Sequence, residues 1–389
     1  MKNRARLILI FATAIATVFT LHDCQAQSTP KRSLLALSKA DHVLAIVDPA
    51  TLKVVAKIPV GTDPHEVIAS TDGKTAYVSI YGGGSLHEID VLDLTTNRPS
   101  KQLDTRPLYG PHGIEFANGK VWFSAEGSKA VGSYDPAAGI FDWSMGTGQD
   151  RTHMLYVTPD GNKIYTTNVN AGTVSILENR PNQPNRPGGP GGPPPGGAPI
   201  QTPPFNIAHP PGTPGGPDFP PGNTSNPAGP QGPANPNTHR EWTQTVVPTS
   251  RGSEGFDVSP NGKSLWTAAS EDGFITIIDL ETKSQAARID AKAQGANRLK
   301  FTPDGKQVFI SSLGSGDLIV YDAATRKEIK RLKIGRGVAG ILMDTEAPRA
   351  FIACSADNFI AVVDLKTLTV TSHFEVGGTP DGMAWAISR

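Results

Sequence analysis

The sequence predicts an all-β fold, a seven-bladed β-propeller, and three observations carry that prediction. A turn dipeptide recurs through the chain at a spacing of forty-odd residues, with one long interval of 101 residues. Each repeat contains short apolar runs in a constant order, and the last repeat is divided between the two ends of the chain. A period of about 40–45 residues built from four strands is typical of one propeller blade. The recurring dipeptides are Asp72-Gly73, Asn118-Gly119, Asp160-Gly161, Asn261-Gly262 and Asp304-Gly305.

Within each repeat we predict four strands, A to D. Strand A leads into the Gly-containing turn, strand B carries an aromatic residue, and strand C ends in an aspartate. An aspartate at that place accepts hydrogen bonds from backbone N–H groups ahead of it, so we assign these residues to turns and not to catalysis. The aromatics recur once per repeat, as expected for packing between blades. They are Tyr77, Trp122, Tyr165, Trp266, Phe309 and Phe351.

The final repeat predicts how the ring closes. A seventh strand A, residues 381–387, ends the chain without strands B, C and D after it. The segments 33–38, 43–48 and 53–60 supply the three missing strands. Such an overlap pairs strands that would otherwise be open edges.

The two ends and the composition indicate an exported protein. Residues 1–26 have a basic start, an apolar run and small residues near Ala26, which is the pattern of a cleaved signal peptide. Periplasmic or secreted localisation is therefore predicted, with no membrane span after cleavage and a monomer as the expected state. Cleavage leaves Cys354 as the single cysteine and a net charge of about −2. That balance argues against a nucleic-acid partner.

The long interval contains an insert rich in proline and glycine. Residues 179–238 hold 20 prolines and 12 glycines. This composition cannot form a core, so we expect disorder or local polyproline structure in the C–D loop of blade 3. The propeller itself then comprises residues 27–178 and 239–389. The insert is interpreted either as a tolerated surface insertion or as a docking segment for a partner.

The candidate site is a ring of polar residues at the start of each strand A, beside the central channel. Three histidines at one repeat position exceed what chance predicts for a chain with nine in total. Neutral imidazoles with a carboxylate suit a divalent transition metal such as zinc, and such a metal acidifies water or polarises a carbonyl. The ring consists of His65, His112, His153, Glu254, Asn297, Ala339 and Asp381.

Three interpretations of this ring stay open. The first is a metal site on His65, His112, His153 and Glu254. The second is a metal-free polar funnel for a small polar ligand, in which Asn297, Arg298 and Asp381 also take part. The third is structural, with each histidine bonded to its own loop. Glu126, Arg151 and Glu254 are the candidate catalytic residues, with Arg151 and Arg298 placed to hold an anion.

Several segments resemble the YVTN-type β-propeller repeat, notably Tyr77-Val-Ser79 and Phe301-Thr-Pro-Asp-Gly-Lys306. Blade 2, with Gly110-Pro-His-Gly-Ile114, is also similar to streptogramin-lyase repeats. The resemblance implies the architecture, while its members include enzymes, surface proteins and redox partners. We therefore expect a binding or scaffold module that presents a polar channel mouth to a ligand or protein partner. The alternative is a metal-dependent lactonase-like hydrolase or lyase.

Overall fold

The computed structural model describes residues 30–181 and 240–388. The predicted signal peptide and nearly all of the predicted insert lie outside these residues. Among the described residues, no helix is long and apolar enough to cross a membrane.

The described chain forms 28 β-strands, numbered in chain order. The N-terminal segment supplies β1 (Arg32–Ser38), β2 (Val43–Asp48) and β3 (Lys53–Pro59). Blade 1 contains β4 (Pro64–Ala69), β5 (Thr75–Ile80), β6 (Glu88–Asp93) and β7 (Arg98–Asp104). Blade 2 contains β8 (Pro111–Ala117), β9 (Lys120–Ala125), β10 (Ala130–Asp135) and β11 (Ile140–Gly146). Blade 3 contains β12 (Thr152–Val157), β13 (Lys163–Asn168), β14 (Thr173–Pro181) and β15 (Arg240–Pro248).

The second half repeats the same unit. Blade 4 contains β16 (Ser253–Val258), β17 (Ser264–Ala269), β18 (Phe274–Asp279) and β19 (Ser284–Asp290). Blade 5 contains β20 (Ala296–Phe301), β21 (Gln307–Ser312), β22 (Asp317–Asp322) and β23 (Lys327–Lys333). Blade 6 contains β24 (Val338–Met343), β25 (Arg349–Cys354), β26 (Phe359–Asp364) and β27 (Thr369–Phe374), and β28 (Pro380–Ile387) ends the chain. Three short 3₁₀ turns occur at Gly82–Gly84, Glu126–Ser128 and Ser355–Asp357.

These strands form seven four-stranded antiparallel sheets, which confirms the predicted all-β, seven-bladed propeller. The seventh sheet has the order β28-β1-β2-β3, so it is assembled from both ends of the chain as predicted. Leu34 pairs with Trp385 across the β1–β28 junction. The closure therefore pairs the backbone groups that an open ring would leave at an edge.

The repeat positions take the roles expected of them. The strand-B aromatics are buried, from Phe351 at 0% to Trp122 at 5% exposed, and the core clusters combine residues of adjacent blades. The strand-C aspartates cap their turns: Asp279 accepts hydrogen bonds from the backbone N–H groups of Glu281 and Thr282 at 2.9 and 2.8 Å. Cys354 is buried and unpaired, and burial raises the pKa of its thiol to about 12. It is therefore a packing residue.

β14 and β15 pair along their whole length, from Thr173↔Pro248 to Pro181↔Arg240. The chain thus leaves and re-enters blade 3 as strands C and D of one hairpin. In a propeller the C–D turns lie at the end of the blades opposite the D–A and B–C turns, and the latter carry the candidate site.

Candidate functional site

The ring residues lie at equivalent places in the fold. Each is the second residue of an innermost strand, from His65 in β4 to Asp381 in β28. Strand A begins at the same end of every blade, so these positions surround one mouth of the central channel. The B–C turns end at the same mouth and contribute Lys39, Tyr81 and Glu126, which follow β1, β5 and β9.

The imidazole rings of the three histidines follow one another in a row, called the imidazole stack below, with adjacent rings tilted by 53° and 37°. The ring centroids of His65 and His112 are 4.5 Å apart, and those of His112 and His153 are 3.9 Å apart. His112 and His153 are each only 2% exposed. Gly113 permits this approach of β8 and β12, because a Cβ at that position would lie 2.8 Å from the His153 carbonyl oxygen.

Glu126 lies next to His153, at the end of this row of imidazoles. It lies in the 3₁₀ turn after β9, is 6% exposed, and accepts hydrogen bonds from His153 Nδ1 and from the Tyr81 hydroxyl. Burial opposes ionisation of Glu126, but these two hydrogen bonds and the charge of Arg151 lower the pKa of its carboxyl. Burial, together with the bond to Glu126, raises the pKa of Tyr81. The pair is therefore a carboxylate held by a neutral phenol.

His112, Glu126 and His153 together have the composition of a metal-ligand set. One ligand atom from each residue lies within 4.8 Å of the others. His112 Nδ1 and His153 Nε2 are buried and have no hydrogen-bond partner among the described residues. Burial, with the neighbouring imidazoles, lowers the pKa of His112 well below its ordinary value. At neutral pH the set thus contains a neutral imidazole and an ionised carboxylate, the protonation states that metal binding requires.

Glu254 occupies the neighbouring position but lies outside this set. Its Oε2 accepts a hydrogen bond of 2.7 Å from Asn297 Nδ2, and its Oε1 lies 3.4 Å from Arg151 Nη1. Arg151 Nε is in turn 3.4 Å from Glu126 Oε1. Arg151 therefore bridges the two carboxylates, and the structure groups Glu126, instead of the ring residue Glu254, with the buried histidines.

His65 faces a second polar group. Its Nε2 lies 2.8 Å from Lys39 Nζ and 3.0 Å from Asp63 Oδ1. Lys39 Nζ is also 3.7 Å from Asp381 Oδ2. His65 thus joins the imidazole stack through His112 while its nitrogen contacts lie with Lys39 and Asp63.

Arg298 crosses the channel below the ring. It extends from blade 5 to Glu66 of blade 1, and its Nη2 lies 4.0 Å from Asp381 Oδ1. Its side chain is only 7% exposed. Arg298 was predicted to hold an anionic ligand, but in the structure its guanidinium faces two carboxylates of the protein itself, Glu66 and Asp381.

The formal charge of the mouth is negative. Among the side chains that contact the ring residues or one another there, five carboxylates and three cations give a formal sum of −2 when the histidines are neutral. The carboxylates are Asp63, Glu66, Glu126, Glu254 and Asp381, and the cations are Lys39, Arg151 and Arg298.

Sequence reasoning placed His112, His153, Glu126 and Arg151 at one place but did not identify Tyr81, Lys39, Asp63 or Glu66. For two of these residues, the position in the repeat could have indicated a place at the mouth. Tyr81 and Lys39 follow strand B of their blades, as Glu126 does in blade 2. Inspection of every residue just after strand B would have found them.

Comparison with protein families gives one match. The model of the cytochrome D1 heme domain matches residues 221–342. This stretch spans blades 4 and 5 and contains Glu254, Asn297 and Arg298, but none of the three stacked histidines. A search of curated protein sequences finds no match.

The site does not fit the haem that this family description implies. Haem iron is held axially by His, Cys, Met or Tyr. Residues 240–342 contain no His, Cys or Met, and Tyr321, in the outer part of blade 5, is 3% exposed. His112 and His153 are each 2% exposed and their unpartnered ring nitrogens are buried, so a bulky macrocycle cannot reach those nitrogens. The donor set suits a single small ion.

Solved structures show the same fold at low identity. A protein of unknown function from Desulfotomaculum acetoxidans has a TM-score of 0.64 and 11% identity, covering 92% of this chain and 99% of its own. A 6-phosphogluconolactonase-like protein from Bacteroides uniformis has a TM-score of 0.64 and 14% identity, covering 91% and 99%. The dihydro-heme d1 dehydrogenase NirN, in complex with DHE, has a TM-score of 0.58 and 12% identity, covering 90% of this chain and 65% of NirN. At these identities the likeness establishes the seven-bladed propeller architecture alone. Any inference about activity has to come from the residues of the site.

Proposed function

We propose that this chain is an exported β-propeller that binds one divalent transition-metal ion through His112, Glu126 and His153 and presents it to a small polar ligand at the channel mouth. The observation that carries the proposal is a pair of buried imidazole nitrogens, without hydrogen-bond partners in the described part of the chain, beside an ionised, buried carboxylate. A buried polar atom without a hydrogen bond costs about 1–3 kcal/mol, so two such nitrogens beside one carboxylate favour a compensating ligand at this place.

The charge of the mouth supports a cation as that ligand. With a formal charge of −2, the surroundings of the donor set favour a divalent ion over an anion. Two imidazoles and one carboxylate suit Zn²⁺ and the neighbouring divalent metals, and three protein ligands leave a coordination position open. Tyr81 supports the ligand Glu126 through its hydroxyl, as partners behind metal ligands commonly do.

A metal-dependent hydrolase or lyase is the second candidate function. Glu254 favours it, because this carboxylate is half-buried beside the donor set, bonded to Asn297 and paired with Arg151. A carboxylate so placed has the position of a general base, while the metal would polarise a carbonyl. The binding role requires only ligand capture, whereas this role requires turnover that fails in Glu254→Gln with the metal retained.

Elemental analysis of the full chain, purified without a histidine tag or chelator, tests the proposal. We expect close to one metal per chain after reconstitution with Zn²⁺ or Co²⁺, and loss of that metal in the His112→Ala/His153→Ala variant with an unchanged circular dichroism spectrum. His373→Ala is the matched control, because His373 is exposed on the outer strand of blade 6. Equal metal in the double variant, or none in the parent protein after reconstitution, would overturn the proposal.

A further inference from the structure

The three cationic side chains at the mouth differ in how tightly they are paired with other groups of the protein. Arg298 is enclosed and pairs with Glu66, and Lys39 contacts His65 and lies near two aspartates. The Arg151 side chain is 36% exposed. Among the described residues its guanidinium makes two ion pairs, both at 3.4 Å, and no side-chain hydrogen bond. Its donors are therefore directed partly to solvent at the open side of the mouth.

Arg151 is also placed beside the donor set. It ends the D–A turn between β11 and β12, two residues before His153, with a positive φ of 59°. Its Nε lies 3.4 Å from Glu126 Oε1, so the guanidinium borders the group that would hold the metal. A small molecule ligating the metal from the channel mouth would meet this side chain first.

The charges set an order of binding. In the metal-free state the mouth has a formal charge of −2, which opposes an anion near Arg151. A bound divalent ion would bring that sum to zero and add a Lewis-acidic centre. At separations of a few ångströms in a partly buried site, such a change favours an anion beside Arg151.

We propose, on the basis of the metal site above, that the mouth binds a small carboxylate with a neighbouring oxygen, such as an α-hydroxy acid, and does so only when the metal is present. The ligand contacts the metal with one oxygen and pairs its carboxylate with Arg151. Arginine suits this role because its planar fork of donors matches a carboxylate. The metal thus converts a site for cations into a site for an anion.

Because coupling between two ligands is reciprocal, the carboxylate also tightens metal binding by the same factor. Lactate is a suitable probe, since it has the two oxygens and chelates free metal weakly. Lactamide is its neutral counterpart and isolates the contribution of charge.

The experiment is calorimetric titration of lactate into Co²⁺-loaded and chelator-stripped full-length protein, with the visible spectrum of Co²⁺ recorded in parallel. We expect lactate to bind the loaded protein at least about tenfold more tightly than the stripped protein, to shift the Co²⁺ bands, and to exceed lactamide. Arg151→Gln should lose most of this affinity while Co²⁺ stoichiometry is retained. Arg336→Gln is the control, since Arg336 is an exposed arginine on a D–A turn that pairs with one carboxylate, Asp357.

The outcomes separate this inference from the metal site. Retained Co²⁺ with lactate affinity that is equal in loaded and stripped protein, or unchanged in Arg151→Gln, overturns the inference and leaves the metal site standing. Failure of the parent protein to bind Co²⁺ or Zn²⁺ overturns both. A tighter Co²⁺ affinity in the presence of lactate, absent in Arg151→Gln, would confirm the coupling.

Discussion

Two buried charge clusters in this propeller differ in how completely the protein satisfies them. At the closure, Asp344 has a fully buried side chain, and its two oxygens accept hydrogen bonds from Arg32 Nη2 at 2.8 Å and Arg349 Nε at 2.9 Å, as well as from the Glu346 backbone. At the mouth, His112 Nδ1 and His153 Nε2 have no partner among the described residues.

The central carboxylate of the first cluster is bonded through both oxygens, although Arg32 Nε beside it, like the two imidazole nitrogens, has no hydrogen bond among the described residues. Arg32 belongs to β1 at the start of the ring and Asp344 follows β24 of blade 6, so the first cluster ties the N-terminal strand to the preceding blade. Arg349 adds a hydrogen bond of 2.8 Å to the Pro49 carbonyl. For the second cluster, we infer that the missing partners would come from the proposed ligand, whose binding would then stabilise the folded protein.

The largest expected effect is at the closure. Asp344→Ala leaves Arg32 and Arg349 without their shared carboxylate, and we expect a loss of about 3–5 kcal/mol in the free energy of unfolding. Metal stoichiometry at the mouth should stay unchanged. Denaturant unfolding measures the first quantity and elemental analysis the second. Glu346→Gln is the control, because Glu346 is exposed and lies 3.5 Å from Arg32 Nε. A loss in the free energy of unfolding below about 1 kcal/mol for Asp344→Ala would show that the closure cluster does not stabilise the fold as proposed.

At the mouth the diagnostic effect should be on metal affinity. We expect His153→Ala to weaken Zn²⁺ or Co²⁺ binding by more than about 100-fold, since loss of a ligand exceeds the effect of losing a supporting group. The free energy of unfolding of the metal-free protein is measured in parallel, because the truncation also removes the hydrogen bond to buried Glu126. Competition with a chromogenic chelator gives the affinity. A stable protein with undiminished metal affinity would assign His153 to the fold.

A smaller effect is expected at the supporting hydroxyl. Tyr81→Phe removes the hydrogen bond to Glu126 and should weaken metal binding by about 10-fold without changing stoichiometry. Tyr109→Phe is a matched control, because Tyr109 lies in a turn at the same mouth and its ring packs against His87. Equal affinities for the two variants would show that Tyr81 does not orient Glu126.

Removing an unsatisfied nitrogen should stabilise the metal-free protein. We expect His112→Phe to raise the free energy of unfolding by about 1 kcal/mol, because an apolar ring replaces a buried polar one. The same variant should lose the metal. Differential scanning calorimetry with and without Zn²⁺ shows both effects as a higher metal-free Tm and no rise on adding the ion. A lowered Tm without metal would mean that His112 makes a structural contribution.

The closure also predicts the response to acid. Burial opposes ionisation of Asp344, yet its hydrogen bonds with Arg32, Glu346 and Arg349 lower the pKa below the ordinary value. A lowered pKa in the folded state stabilises the protein above the unfolded pKa, and this contribution is lost as pH falls through the folded pKa. We expect the parent protein to lose stability below about pH 4 more steeply than Asp344→Asn. Parallel slopes in denaturant titrations at about pH 5 and about pH 3 would contradict this.

Much of the architecture was predictable because it depends on local repetition. The turn dipeptides marked five of the seven A–B turns, and the strand-C aspartates marked the C–D turns of every blade except blade 3. The divided last blade followed from strands left over at the two ends. Glu126 was identified as a candidate from its place after strand B, and the three histidines from their shared position. These inferences need only the period of the chain and the chemistry of its turns.

The membership of the site was less predictable because side-chain partners come from different blades. The sequence predicted Glu254 as the metal ligand and Glu126 as a partner or base, whereas the approach of β12 to β8 brings Glu126 to His153. Lys39, from the N-terminal segment, meets His65 only because the last blade is completed by that segment. Arg298 meets Glu66 only because blades 1 and 5 face each other across the channel.

The sequence by itself determined that the chain makes a closed ring of blades and that polar residues begin the innermost strands at one end. Period, turn chemistry and alternation are local properties, so they survive without knowledge of neighbours. The tertiary structure decided which of those residues touch, which charges the protein already neutralises and which nitrogens have no partner within residues 30–181 and 240–388. That selection depends on distances of a few ångströms between side chains separated by tens to hundreds of residues, and only the packing of the blades fixes such distances.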